Sequence, residues 1–233
     1  MVRGKKITKK RLKEPDEFIT FTERAFIFIR QHIKKIGAAG VIVIIILLSF
    51  VFYQKWEKGK EEEADRAFNL AVGIYQEANS PNREGSPSDY KNALEKFDEV
   101  IRKFSRTSSG KLSLLYKGNI CLRLNEFGEA EKSYSTFLEK GGKEKNYRLF
   151  ALEGLGYAFE GKKDYEKALN AYKKIVEMGE SFQLADAHLN IGRCYEKLGK
   201  NNEALESYKS FLKIAPKSQM TNAVLRKISI LEK

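Results

Sequence analysis

Three stretches decide the fold: Leu114–Leu138 (LLYKGNICLRLNEFGEAEKSYSTFL), Leu152–Val176 (LEGLGYAFEGKKDYEKALNAYKKIV) and His188–Leu212 (HLNIGRCYEKLGKNNEALESYKSFL). In each, a Gly is followed twelve residues later by an Ala, and four residues after that by a Tyr. The trios are Gly118/Ala130/Tyr134, Gly156/Ala168/Tyr172 and Gly192/Ala204/Tyr208, recurring at intervals of 38 and 36 residues. A half-repeat precedes them, carried by Tyr90, Ala93, Leu94, Phe97, Val100 and Ile101. A period in this range marks an array of stacked supersecondary units, none of which can bury its apolar face alone.

The residue types follow from the packing of such units. Two antiparallel helices joined by a tight turn leave apolar stripes that only a neighbouring pair can cover. Gly118, Gly156 and Gly192 are expected to let the first helix of each pair approach the second, with Ala130, Ala168 and Ala204 facing them. Tyr134, Tyr172 and Tyr208 are then expected to fill the space one turn further on. A Gly inside a helix costs about 1 kcal/mol against Ala, so three in register imply that close packing offsets it. Pro15, Pro81, Pro87 and Pro216 all fall outside the proposed helices, and no alternating strand pattern is found. The chain reads as all-α.

This pattern resembles the tetratricopeptide repeat, whose signature runs W-x₂-L-G-x₂-Y, A-x₃-F and P. Leu152, Leu155, Gly156, Phe159, Ala168 and Tyr172 follow it, as do Ile191, Gly192, Tyr195, Ala204, Tyr208 and Pro216. The missing Trp, Lys117 and Cys121 in the first full unit, and the long periods, depart from it. The extra residues fall near Gly141-Gly142 and Gly179-Glu180-Ser181. Ala64 to Ala78 supplies an initial helix, a Pro/Gly/Ser loop (NSPNREGSPS) follows it, and Met220, Val224, Ile228 and Leu231 form the stripe of a closing helix. The implied architecture is a tetratricopeptide-like α-solenoid over 64–233 with a C-terminal capping helix.

Upstream, residues 36–54 (IGAAGVIVIIILLSFVFYQ) carry no charge. About 20 apolar residues suffice for a helix to cross roughly 30 Å of hydrocarbon. Val41–Leu48 is apolar on every side, unlike a core helix, and no small-residue cleavage site follows. The run is therefore read as an uncleaved transmembrane helix, with 55–63 as a juxtamembrane linker. Residues 1–35 hold eleven Lys/Arg against four acids, a net +7 of the total +12. Such an excess keeps the N-terminus in the cytoplasm and sends the body across, with Tyr53 and Trp56 at the outer interface. Within the leader, Phe18, Phe21, Ala25, Phe26, Ile29 and Ile33 recur at helical spacing. That stripe suits a helix in the membrane interface or docked on a membrane partner; the alternative is an extended basic leader that sets topology alone. The first fifteen residues are expected to be disordered, their positive charge facing anionic lipid rather than nucleic acid.

Residues that carry chemistry are sparse. Ser109-Gly110-Lys111 lacks the upstream Gly and the following Ser/Thr of a phosphate loop. His32 and His188 are isolated, Cys121 and Cys194 lie in different units, and Glu61-Glu62-Glu63 reads as a solvated helix face. No enzyme activity, cofactor or metal is expected. Binding is expected instead, on the concave side that first helices line in a stacked array. The candidate groove comprises Leu115, Asn119, Leu122, Arg123, Glu153, Tyr157, Glu160, Leu189, Arg193 and Glu196. Repeats that clamp a chaperone's terminal carboxylate place Lys, Asn and Arg there; Leu115 and Glu153 do not match that pattern.

The layout as a whole resembles the YfgM-like family of bacterial inner-membrane proteins: a short leader with an aromatic amphipathic stretch (ERAFIFIRQHIKK), one span ending near a Trp, then tetratricopeptide-like repeats. IRKFSRTSSGKLSLLYKGNICLRL and QMTNAVLRKISILEK resemble that family's first repeat junction and closing helix. The resemblance implies a single-pass inner-membrane protein with a periplasmic body. It also implies an ancillary role at the SecYEG translocon, linking exported chains to periplasmic chaperones. An envelope scaffold for a division, secretion or outer-membrane assembly complex is the alternative on the same fold. A sensor signalling inward is disfavoured, because residues 1–35 are too short for a kinase or DNA-binding domain.

Overall fold

The computed structural model describes residues 17–80, 86–141, 144–179 and 182–233, and among them every regular element is an α-helix. The tract 1–15, Gly142, Glu180, Ser181 and the centre of the loop after Ala78 lie outside the described residues. The chain divides at Glu57/Lys58 into two compact units.

Helix α1 (Glu17–Ala78) supplies the described part of the first unit and the start of the second. In the first unit, Ile42 to Leu48 are each more than half exposed. An apolar surface of this kind is not stable in water over such a length. With a mean hydropathy of 2.7 across its most apolar window, this stretch is a candidate membrane span. Residues 55–63, expected as a linker, are helical and belong to α1.

In the second unit the end of α1 packs on α2 (Pro87–Lys103), where Ala71, Ala93 and Phe97 meet Ile120 of α3 (Ser108–Arg123). Three hairpins follow: α3 with α4 (Phe127–Lys140), α5 (Lys145–Gly161) with α6 (Tyr165–Glu177), and α7 (Leu184–Lys197) with α8 (Asn201–Ile214). From α2 onward each helix packs on the next in sequence, and α3 also touches α5, so the first helices of these two repeats lie side by side. Helix α9 (Thr221–Leu231) closes the stack through Val224 and Ile228 against Tyr208 and Phe211.

The repeat trio works more directly than its spacing suggests. A Cβ placed on Gly118 would sit 2.6 Å from the Tyr134 ring, and one on Gly192 would sit 2.5 Å from the Tyr208 ring. Gly156 is opposed by Tyr172 in the same way. The tyrosine ring itself thus occupies the volume that the glycine leaves, rather than a space one turn further on. Ala130, Ala168 and Ala204, all fully buried, complete the contact. Each hairpin turn closes alike: Asn125, Lys163 and Gly199 adopt positive φ (58°, 62° and 71°). The next amide donates back to the carbonyl of Cys121, Phe159 or Tyr195 at 2.8–2.9 Å.

Candidate partner-binding groove

Nine of the ten predicted groove residues occupy registers shared by the three repeats relative to the repeat glycine; the tenth, Arg123, lies five residues after Gly118. Three positions before it stand Leu115, Glu153 and Leu189; one after it stand Asn119, Tyr157 and Arg193; four after it stand Leu122, Glu160 and Glu196. One turn of helix separates successive positions, so each set projects from one face of α3, α5 or α7.

The structure divides them into two groups with different work. Leu115, Asn119, Leu122, Glu153 and Tyr157 line a single cup of about 320 Å³ between α3 and α5. Its remaining wall includes Tyr147 and Phe150, which sequence reasoning did not single out. Tyr134 forms part of the lining and donates its hydroxyl to Asn119 Oδ1 at 2.6 Å.

The other group holds the repeats together. Arg193 donates from Nε to Glu160 Oε2 at 2.8 Å and from Nη2 to Oε1 at 2.6 Å, a forked bond from α7 to α5. Tyr172 donates to the same Glu160 at 2.6 Å. The next step repeats the scheme: Tyr208 donates to Glu196 at 2.7 Å and Lys227 of α9 donates to it at 2.6 Å. Leu189 packs against the terminal core, and Arg123 lies over the Tyr90 ring at 5.7 Å. Glu160, Arg193 and Glu196 are therefore occupied by partners within the chain.

Electrostatics separates the two groups. Burial, together with the neighbouring Glu160 or Glu196 carboxylate, pushes the Tyr172 and Tyr208 phenols far up, so they stay neutral donors. Burial works to raise Glu196 as well, but Lys227 and Tyr208 outweigh it and hold that carboxyl low. The hydrogen bond from Arg193 to Glu160 raises the guanidinium further, against the pull of burial. Glu153 behaves in the opposite sense. Burial raises its carboxyl and the charge of Asp186 adds to this, while bonds from Gln183 and Tyr157 only partly compensate. Gln183 donates Nε2 to Glu153 Oε2 at 2.5 Å and is itself 3% exposed. Among the described residues no three His, Cys, Asp or Glu side chains converge as a metal would require.

Stacked helix hairpins with a tyrosine ring against each repeat glycine define a helical-repeat solenoid of the kind that binds other proteins. The chain belongs to the family of the tetratricopeptide repeat-like domain, whose sequence pattern matches residues 27–233 and so takes in the apolar run as well as the repeats. It is similar to "Uncharacterized protein ycf37" of Cyanophora paradoxa, with 29% identity over 114 residues, 49% of this chain and 63% of the relative. The match thus spans less than two thirds of that relative's length. Among solved structures, a tetratricopeptide repeat protein from Parabacteroides merdae aligns with TM-score 0.59 and 18% identity over 73% of this chain and 60% of that one. A crystal structure of MamA protein aligns with TM-score 0.57 and 17% identity over 72% and 81%. The PilF protein of Pseudomonas aeruginosa gives TM-score 0.56 and 15% identity over 74% and 69%. At these identities the likeness is one of fold.

Proposed function

We propose that the chain is a membrane-anchored module that captures polypeptide segments on the concave face of its repeats. The observation that carries this reading is the aromatic cup between α3 and α5, on a chain that also bears an apolar helix long enough to span a bilayer. The positive leader supports an N-terminus in the cytoplasm and a body exported across a bacterial inner membrane. On that topology the chain stands where translocated polypeptides emerge. The resemblance to the YfgM-like family supports a place beside the SecYEG translocon, passing exported chains to periplasmic chaperones.

The test is a photo-crosslinking residue in place of Tyr147, in the full-length protein in living cells, with Lys209 on α8 as the comparison position. Tyr147 lines the cup, whereas Lys209 is exposed on a second helix. Crosslinks from position 147 to exported chains and translocon subunits support the reading. Crosslinks confined to division or assembly proteins support the scaffold alternative. No capture at 147 above that at 209 means the concave face is not the binding surface.

A further inference from the structure

Three residues before the repeat glycine, two of the three repeats carry leucine, Leu115 and Leu189, and the middle one carries Glu153. Packing asks for leucine there: Leu115 is 7% exposed and Leu189 packs on the terminal core. Glu153 instead puts a carboxylate into the half-buried wall of an aromatic cup. The other groove acids each have a cation from the following repeat, Arg193 for Glu160 and Lys227 for Glu196. Glu153 has Gln183 and Tyr157 as its hydrogen-bond partners, with the like charge of Asp186 close by. Beside it, Gln183 Oε1 is a buried acceptor with no hydrogen-bond partner among the described residues. The site is thus rich in acceptors and short of one cation.

The walls suit the same ligand. Tyr147 and Phe150 are 37% and 47% exposed at the cup, and aromatic faces attract a desolvated cation while covering its aliphatic stem. Apolar surface continues past the cup, because Phe182, 62% exposed, lies 5.4 Å from the Phe150 ring. A ligand that covers both is longer than one side chain.

We infer that the cup is a socket for a lysine or arginine side chain of a partner polypeptide, its stem along Tyr147 and Phe150 and its charge at Glu153, with an adjoining apolar residue on Phe182. This inference rests on the concave-face reading above and names the chemistry that the face selects.

The experiment uses the full-length chain in non-ionic detergent and four labelled, blocked octapeptides. They are identical except for a central Lys, Arg, Glu or norleucine beside a Leu pair, and binding is followed by fluorescence anisotropy. The Lys and Arg peptides should bind at least about 10-fold tighter than the norleucine peptide, as a desolvated charge pair allows, and the Glu peptide weakest. Glu153→Gln should bring the Lys peptide down to the norleucine level without changing norleucine binding. Glu153→Leu restores the residue of the neighbouring repeats, and should make norleucine the preferred side chain. Equal binding of the Lys and norleucine peptides overturns the inference, as does Lys-peptide binding that Glu153→Gln leaves intact. So does the absence of saturable Lys-peptide binding up to about 1 mM. Binding without charge preference would leave the concave-face reading standing; failure of that reading shows separately, as no crosslinking at position 147.

Discussion

At the scale of the residue, one substitution changes sign with its surroundings. Gly156 and Gly73 both lie inside helices, where Ala is favoured by about 1 kcal/mol. No atom lies within 4 Å of a Cβ built at Gly73, whereas at Gly156 it would run into the Tyr172 ring. Gly73→Ala should therefore raise the midpoint of thermal unfolding. Gly156→Ala should lower it, by overpacking that costs about 1–3 kcal/mol; a melt of each variant reads both. The spacing of Gly, Ala and Tyr made this contact legible, although the ring's place against the glycine was not. Glu153 was legible as a groove residue, but the bond it receives from Gln183 was not, because that partner lies thirty residues on. Gln183 belongs to the next repeat, and Tyr147 and Phe150 precede the aligned windows. The signal that was present is the spacing of Tyr147, Phe150, Gly154 and Tyr157 along one face of α5. Burial raises the Glu153 carboxyl, so the folded chain holds that proton more tightly than the unfolded one. Its ionisation then opposes folding above the ordinary carboxylate range and is without effect below it. Glu153→Gln should accordingly raise the melting temperature at pH 7 and leave it unchanged in acid. A loss of stability at pH 7 would mean that the carboxylate serves the fold.

At the scale of the element, the hairpin turns show what a residue code hides. The same left-handed position is filled by Gly199, which any reader would mark as a helix stop, by Asn125, which tolerates it, and by Lys163, which does not announce it. A side chain with a Cβ costs roughly 1–2 kcal/mol in this conformation, so Lys163→Gly should stabilise the α5/α6 hairpin by about 1 kcal/mol. Gly199→Ala should destabilise α7/α8 by a similar amount, and chemical denaturation of the two variants tests the pair. The three hairpins fall on the three aligned windows because the apolar stripes are strong and the turns short. Less legible is 55–63, whose dense charge reads as a linker but whose Glu, Lys and Ala content also favours helix. Its side chains are used as well. Glu61 accepts from the backbone N–H of Ser108, and Asp65 accepts from Ser109 Oγ at 2.5 Å, which gives the N-terminus of α3 the negative charge its dipole favours.

At the scale of the whole molecule, the fold is that of a protein-binding repeat, and the proposed sidedness rests on charge distribution alone. The solenoid follows from a repeat period, and a period is visible in any sequence that keeps it. Sidedness across a membrane rests on the balance of Lys and Arg at the two ends of an uncharged run, and no contact within the chain reports it. It can be measured directly because the native thiols are silent. Cys121 and Cys194 are fully buried, and burial pushes both thiols up to about 12. Reaction with maleimide needs an accessible thiolate, so the natural chain should take up no label until it is unfolded. A single cysteine then reports its own compartment. Lys217 is exposed in the segment between α8 and α9. Lys217→Cys should react with a membrane-impermeant maleimide added to spheroplasts, and Lys13→Cys only after the cells are broken. The reverse pattern would place the repeats in the cytoplasm and remove exported chains from the partners they could meet. Release of the chain from membranes by alkaline carbonate would deny the span itself, leaving residues 36–54 as an apolar helix in search of a protein partner.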